Sequence, residues 1–113
     1  MQIRDNLNKI LQFLADMKAE NISYFNVEKL TNITDFMIIV SGRSETHTKA
    51  LSRNLVDYCK KNKYRPKSVE GDQLGEWICI DFVDIVVHIM TPKVRDFYSI
   101  EDLWDISINK ETR

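Results

Sequence analysis

Ile3, Leu7, Ile10, Leu11, Leu14 and Met17 recur at spacings of three and four, which puts them on one side of a helix and predicts an amphipathic helix from residue 2 to about 19. The polar positions between them make the reverse face, so this helix is expected to lie against a sheet. Two β-rich runs follow, Ile22 to Val27 and Asp35 to Val40, separated by the turn-prone Thr31-Asn32-Ile33-Thr34. Ser41-Gly42-Arg43-Ser44 then breaks the alternation. Ser44 is placed to cap a second helix running to about Lys63, with Ala50, Leu51, Leu55, Val56 and Cys59 inward. Pro66 stops that helix, Lys67 to Glu70 reads as a short third strand, and Gly71-Asp72-Gln73-Leu74-Gly75 as a loop able to take positive φ.

The sharpest pattern runs from Glu76 to Met90, two strands joined by a two-residue turn. With Phe82 and Val83 as the turn, Asp81 opposes Asp84, Cys79 opposes Val86 and Trp77 opposes His88, while Ile78, Ile80, Ile85, Val87 and Ile89 share the other face. The isoleucine-valine face is core. The opposite face carries Trp77, His88 and Met90, large side chains suited either to a protein contact or to burial under a covering helix. Pro92 then suits the first turn of a short helix through Tyr98, and Ser99 with Asp102 resembles a capping box ahead of a last turn around Leu103-Trp104. The order α-β-β-α-β-β-β-α predicts an α+β fold in the broad α/β class, a mixed five-stranded sheet packed with helices.

Length sets the domain count. A chain of 113 residues with 43% apolar content supports one core, and we place a single domain over residues 1–106 with a polar tail at 107–113. Sixteen basic against seventeen acidic side chains leave a net charge of −1, so charge supplies no global drive toward nucleic acid or an acidic membrane. No run approaches the roughly 18 apolar residues needed to span a bilayer. The opening Met-Gln-Ile-Arg-Asp-Asn has neither a signal peptide's apolar segment nor a transit peptide's freedom from acids, and the expectation is a cytoplasmic protein without membrane contact. Cys59 and Cys79 lack the spacing of a zinc site and read as reduced thiols.

The candidate chemistry is thin. A Ser-Gly-x-Ser loop between strand and helix, with Asp81 and Asp84 nearby, resembles a nucleotidyltransferase layout. Metal-dependent phosphoryl transfer, however, wants carboxylates converged at adjacent positions of one strand face, and these two bracket a turn. Ser44 with His47, or Cys79 with His88, offers a base without a third group or an oxyanion site. We therefore expect no catalytic residues, no metal and no cofactor. Lys60, Lys61, Lys63, Arg65 and Lys67 form a basic run for which a solvated helix end, favoured by the macrodipole, is preferred over a minor contact with RNA phosphates. Trp77 and Tyr98 are read as exposed, Trp104 as core.

Several short segments occur in one order: Asp35 through Gly42, Ser44 with His47 and Ala50-Leu51, Val69-Glu70-Gly71, Gly75-Glu76-Trp77 through Asp81, Asp84 through His88, then Arg95, Phe97-Tyr98 and Leu103-Trp104. Together they resemble the Iojap family, the bacterial ribosomal silencing factors, over almost the whole chain. The resemblance implies a nucleotidyltransferase-like fold without a catalytic site. It also implies a non-enzymatic factor that binds the large ribosomal subunit through its protein number fourteen, blocks joining of the small subunit, and lowers translation when nutrients are scarce. Carried onto this chain, the family's partner-binding surface falls on Trp77, His88 and Tyr98, with Glu70, Met90 and Arg95 as rim or supporting contacts. A homodimer through the same patch, and a sheet edge joined by a partner strand, are compatible with it. Val83 stands where the family usually has glycine, so the turn type departs from the pattern.

Overall fold

The computed structural model describes residues 2–102; Leu103, Trp104 and the 107–113 tail lie outside the described residues. The elements run α1 (Gln2–Asp16), β1 (Glu20–Asn26), β2 (Phe36–Ser41), α2 (Glu45–Lys61), β3 (Ser68–Glu70), β4 (Trp77–Asp81), β5 (Ile85–Met90) and α3 (Pro92–Tyr98). The expected order of elements holds. The five strands form one mixed sheet in the order β1-β2-β5-β4-β3, in which β2 and β5 are parallel and every other neighbour antiparallel.

Pairing partners share a sheet face, and this divides the core in two. Phe36, Ile38, Val40, Ile78, Ile80, Ile85, Val87 and Ile89 meet Leu7, Ile10 and Leu14 of α1 and Leu51, Leu55 and Cys59 of α2. On the other face a smaller cluster of Phe25, Val27, Ile39 and Met90 is covered by Trp77, by Val94 of α3 and by Ile100. Ile38, Ile39, Val87 and Ile89 are completely buried, because the two central strands have protein on both sides.

Local signals account for the helix ends. Ser44 caps α2 by accepting the His47 N–H at 3.1 Å. Helix α1 stops at Asp16, short of the expected boundary, because Lys18 turns left-handed at φ 68° and lets Ala19 N–H return to the Leu14 carbonyl. Ser99 departs from the expected capping box. It ends α3 in the left-handed region at φ 48° and its hydroxyl donates back to the Asp96 carbonyl, while the Asp102 N–H reaches the Ser99 carbonyl.

The hairpin corrects one expectation. Its faces are as expected, but its register is displaced: Trp77 pairs with Met90, Cys79 with His88 and Asp81 with Val86. Phe82 N–H bonds the Ile85 carbonyl at 2.8 Å, so the turn residues are Val83 and Asp84. Phe82 is drawn into the ladder by its burial, 4% exposed and stacked on Tyr64 at 4.7 Å, which moves the turn one residue onward. Of the two turn residues only Val83 has positive φ, 79°, the first-position requirement of a II′ turn that glycine meets without strain. A β-branched residue there is strained. Val83→Gly is expected to stabilise the protein by roughly 0.5–1 kcal/mol, the strain relieved minus glycine's larger chain entropy. Thermal unfolding should show it as a rise in Tm, and an unchanged or lower Tm would refute the strain.

Candidate functional site

The side chains of the second sheet face converge where β4, β5 and α3 meet. Trp77, at the start of β4, donates its indole N–H to Nδ1 of His88 at 2.9 Å. The two rings lie 5.9 Å apart, and the Trp77 ring packs on Tyr98 at 5.0 Å. Phe97 stands edge-on to Tyr98 at 4.9 Å. Trp77 is half-buried, whereas Phe97 and Tyr98 are 79% and 55% exposed. Two adjacent aromatics on a short helix cannot both turn inward, and Val94 already takes the inward position. Trp77 and Tyr98 thus wall an open groove whose opposite bank is the capped start of α2 at Arg43–Thr46.

Backbone constraints hold Trp77 in place. Gly71 has φ 85°, and a Cβ there would meet the Trp77 carbonyl oxygen at 2.0 Å, so the loop entering β4 closes onto the strand only with glycine. Thr91 N–H bonds the Glu76 carbonyl, tying the strand start to the start of α3.

His88 is neutral. Burial pushes its pKa down to about 4, and Nδ1 accepts from tryptophan, so the ring proton sits on Nε2. Cys79 is its cross-strand partner, and its thiol is pushed up by burial and then by Asp81 and Glu70. A thiol raised and an imidazole lowered do not form a thiolate–imidazolium pair. Asp81 accepts the Val83 N–H and Asp84 accepts the Tyr64 hydroxyl, so the two carboxylates are turned to separate local bonds. Among the described residues no group of three His, Cys, Asp or Glu is arranged to hold a metal.

The six residues expected to meet a partner fall into three positions. Trp77, His88 and Tyr98 are brought together. Glu70 is exposed on edge strand β3, on the same face but two strands from His88, about 10 Å away. Met90 and Arg95 lie inside, which removes them from the contact surface. Met90 has no exposed area and pairs with Trp77, supporting the ring. Arg95, 9% exposed, uses all five N–H donors internally: Nε and Nη2 grip the Glu101 carboxylate, Nη1 reaches the Asn21 carbonyl and Ser41 Oγ, and Nη2 also reaches Ser23 Oγ. The bulge between Glu20 and Ser23 leaves the Asn21 carbonyl free for this bond. Phe97 and this latch were not singled out from sequence; the adjacent Phe97-Tyr98 pair was the available signal for the first, and nothing local marks the second.

The sequence profile of a family described as ribosomal silencing factor during starvation matches residues 1–113. The chain belongs to this family. A ribosomal silencing factor of Chromobacterium violaceum is 36% identical over 104 residues, covering 92% of this chain and 85% of that protein. A crystal structure of a Chromobacterium violaceum protein superposes with a TM-score of 0.89 at 35% identity, covering 93% of this chain and 88% of that one. A mouse protein named mitochondrial assembly of ribosomal large subunit protein 1 is 31% identical over 104 residues, 89% of this chain and 46% of its own length. The relatives' names are those of ribosomal factors, and in this chain the aromatic groove, with no assembled catalytic group in the described residues, is the most distinctive surface.

Two consequences can be measured. Arg95→Ala should destabilise by about 3 kcal/mol in denaturant unfolding, since it leaves the Asn21 carbonyl and both serine hydroxyls unpaired, and Arg95→Lys should not restore the loss because an ammonium cannot fork. For His88 the unfolded pKa, 6.5, lies above the folded value of about 4, so between these pH values the unfolded state holds the extra proton and stability falls as pH falls. His88→Gln should shallow the loss between pH 6 and 5 by about 1 kcal/mol. Parallel pH profiles for the two proteins would refute a buried neutral histidine.

Proposed function

We propose that this chain represses translation in the cytoplasm by docking on the large ribosomal subunit, through its protein number fourteen, and occluding the small subunit when nutrients are scarce. The observation that carries the reading is the Trp77–Tyr98–Phe97 surface, an aromatic anchor on a rigid support of the kind that dominates interface energy. Family membership and the name of the mouse relative support a ribosomal partner. The mechanism is steric. A body about 36 × 34 × 23 Å held at an intersubunit surface fills the space the opposing subunit must enter, without chemistry. Trp77 and Tyr98 supply affinity, His88 fixes the indole, and Glu70 lies at the rim. The same patch, left open, would pair two copies of the chain into a homodimer.

Tyr98→Ala is the sharper test, since its exposed ring contributes little to the fold. It should weaken binding to isolated large subunits by about thirtyfold, roughly 2 kcal/mol, with little change in Tm. Co-sedimentation measures the binding, and gradient analysis of mixed subunits measures joining. Absence of binding, or binding that leaves joining intact, would refute the proposal.

A further inference from the structure

The basic run invites a different reading once its surroundings are visible. Lys60, Lys61, Lys63, Arg65 and Lys67 are all exposed, and they hold +5 in a chain whose net charge is −1, so the remainder carries −6. The ordinary explanation, cations neutralising a helix C-terminus, is weakened by the capping of α2. Its Tyr58, Cys59 and Lys60 carbonyls already receive the backbone N–H groups of Asn62, Lys63 and Tyr64 and the Asn62 side-chain amide at 2.8 Å. The nearest hairpin carboxylates are also engaged, Asp84 by the Tyr64 hydroxyl and Asp81 by the Val83 N–H. Among the described residues the Arg95–Glu101 ion pair is the only salt bridge, so these five cations have no carboxylate partner there.

The segment is also pinned. Tyr64 stacks on Phe82 with an interplanar angle of 8°, Lys67 N–H bonds the Asp81 carbonyl at 2.6 Å, and Pro66 stiffens the link between them. The result is a held arc of positive charge rather than a loose tail. It lies at the far end of α2 from the aromatic groove, since the helix begins at the groove's bank and its 17 residues span about 25 Å.

We infer that the Lys60–Lys67 arc is a second contact point, which binds the phosphate backbone of double-helical ribosomal RNA beside the protein partner. This rests on the ribosome-docking reading and deepens it. Phosphate contacts carry no sequence preference and release counterions, so they add affinity, orientation and salt dependence to an anchor that alone would let the domain pivot. RNA is favoured over an acidic protein surface because five closely spaced, exposed and uncommitted cations match a regular line of phosphates.

The test compares the wild type with a Lys60→Gln, Lys63→Gln, Arg65→Gln variant, all exposed positions, on two probes. The first is a fluorescent RNA duplex of about 16 base pairs at low salt, followed by anisotropy. The second is isolated large subunits across a salt series. The variant is expected to bind the duplex at least about tenfold more weakly, and its salt slope on subunits should be smaller by about two to three. Tyr98→Ala should bind the duplex like the wild type, so the RNA arm remains decisive even if the docking reading fails. Equal duplex binding by wild type and variant, or none by either, overturns the inference; loss confined to subunits would then assign the arc to an acidic protein surface.

Discussion

The parallel pairing of β2 with β5 is the constraint on which the rest of this protein depends. The two strands are distant in sequence, run side by side over six residue pairs from Phe36–Ile85 to Ser41–Met90, and are covered on both faces. A parallel ladder requires a crossover, and α2 supplies it, which brings the start of that helix to the same end of the sheet as the start of β4 and of α3. The aromatic groove exists because three chain reversals meet at that end. Ile39 and Met90, buried beneath it, leave the second face a firm floor.

On that floor the polar groups are arranged so that little is left to move. The Trp77 indole has one partly buried partner, a histidine held neutral by burial, and Arg95 spends two donors on Glu101 and the other three fastening α3 to β1 and β2. A side chain ordered before binding loses less entropy on binding, so a surface of this kind suits recognition by shape. The opposite end of the sheet is built by different physics. There Tyr64, Phe82 and Asp84 lock the hairpin turn to the segment after α2, and the cations of that segment face water. One end is aromatic and nearly neutral, the other strongly basic, and a short domain of balanced net charge thereby presents two chemically distinct faces.

Much of this was legible in the chain before folding. Apolar spacing in Ile3 to Met17 and in Ala50 to Cys59 marked the helices, and period-two alternation in Trp77 to Met90 marked the hairpin and which side chains share a face, because both patterns follow from backbone geometry alone. The convergence of Trp77 with His88 was also visible in outline, since a displacement of one turn position preserves the face. What alternation could not specify was the turn itself, as Phe82-Val83 and Val83-Asp84 satisfy it equally. The burial of Phe82 against Tyr64 decides between them, and Tyr64 comes from the segment between α2 and β3.

The division follows the range of the interactions. Element identity, face assignment and the capping of α2 by Ser44 are set within a few residues, so the sequence by itself determined them. Strand order, the burial of Met90, the conversion of Arg95 from a surface cation into an internal latch, and the separation of the basic arc from the aromatic groove were decided only by tertiary structure. Each depends on partners distant in sequence: Asn21 and Ser23 lie more than seventy residues from Arg95, with separations of 74 and 72. Such pairings depend on which elements pack together, and local periodicity carries no record of that.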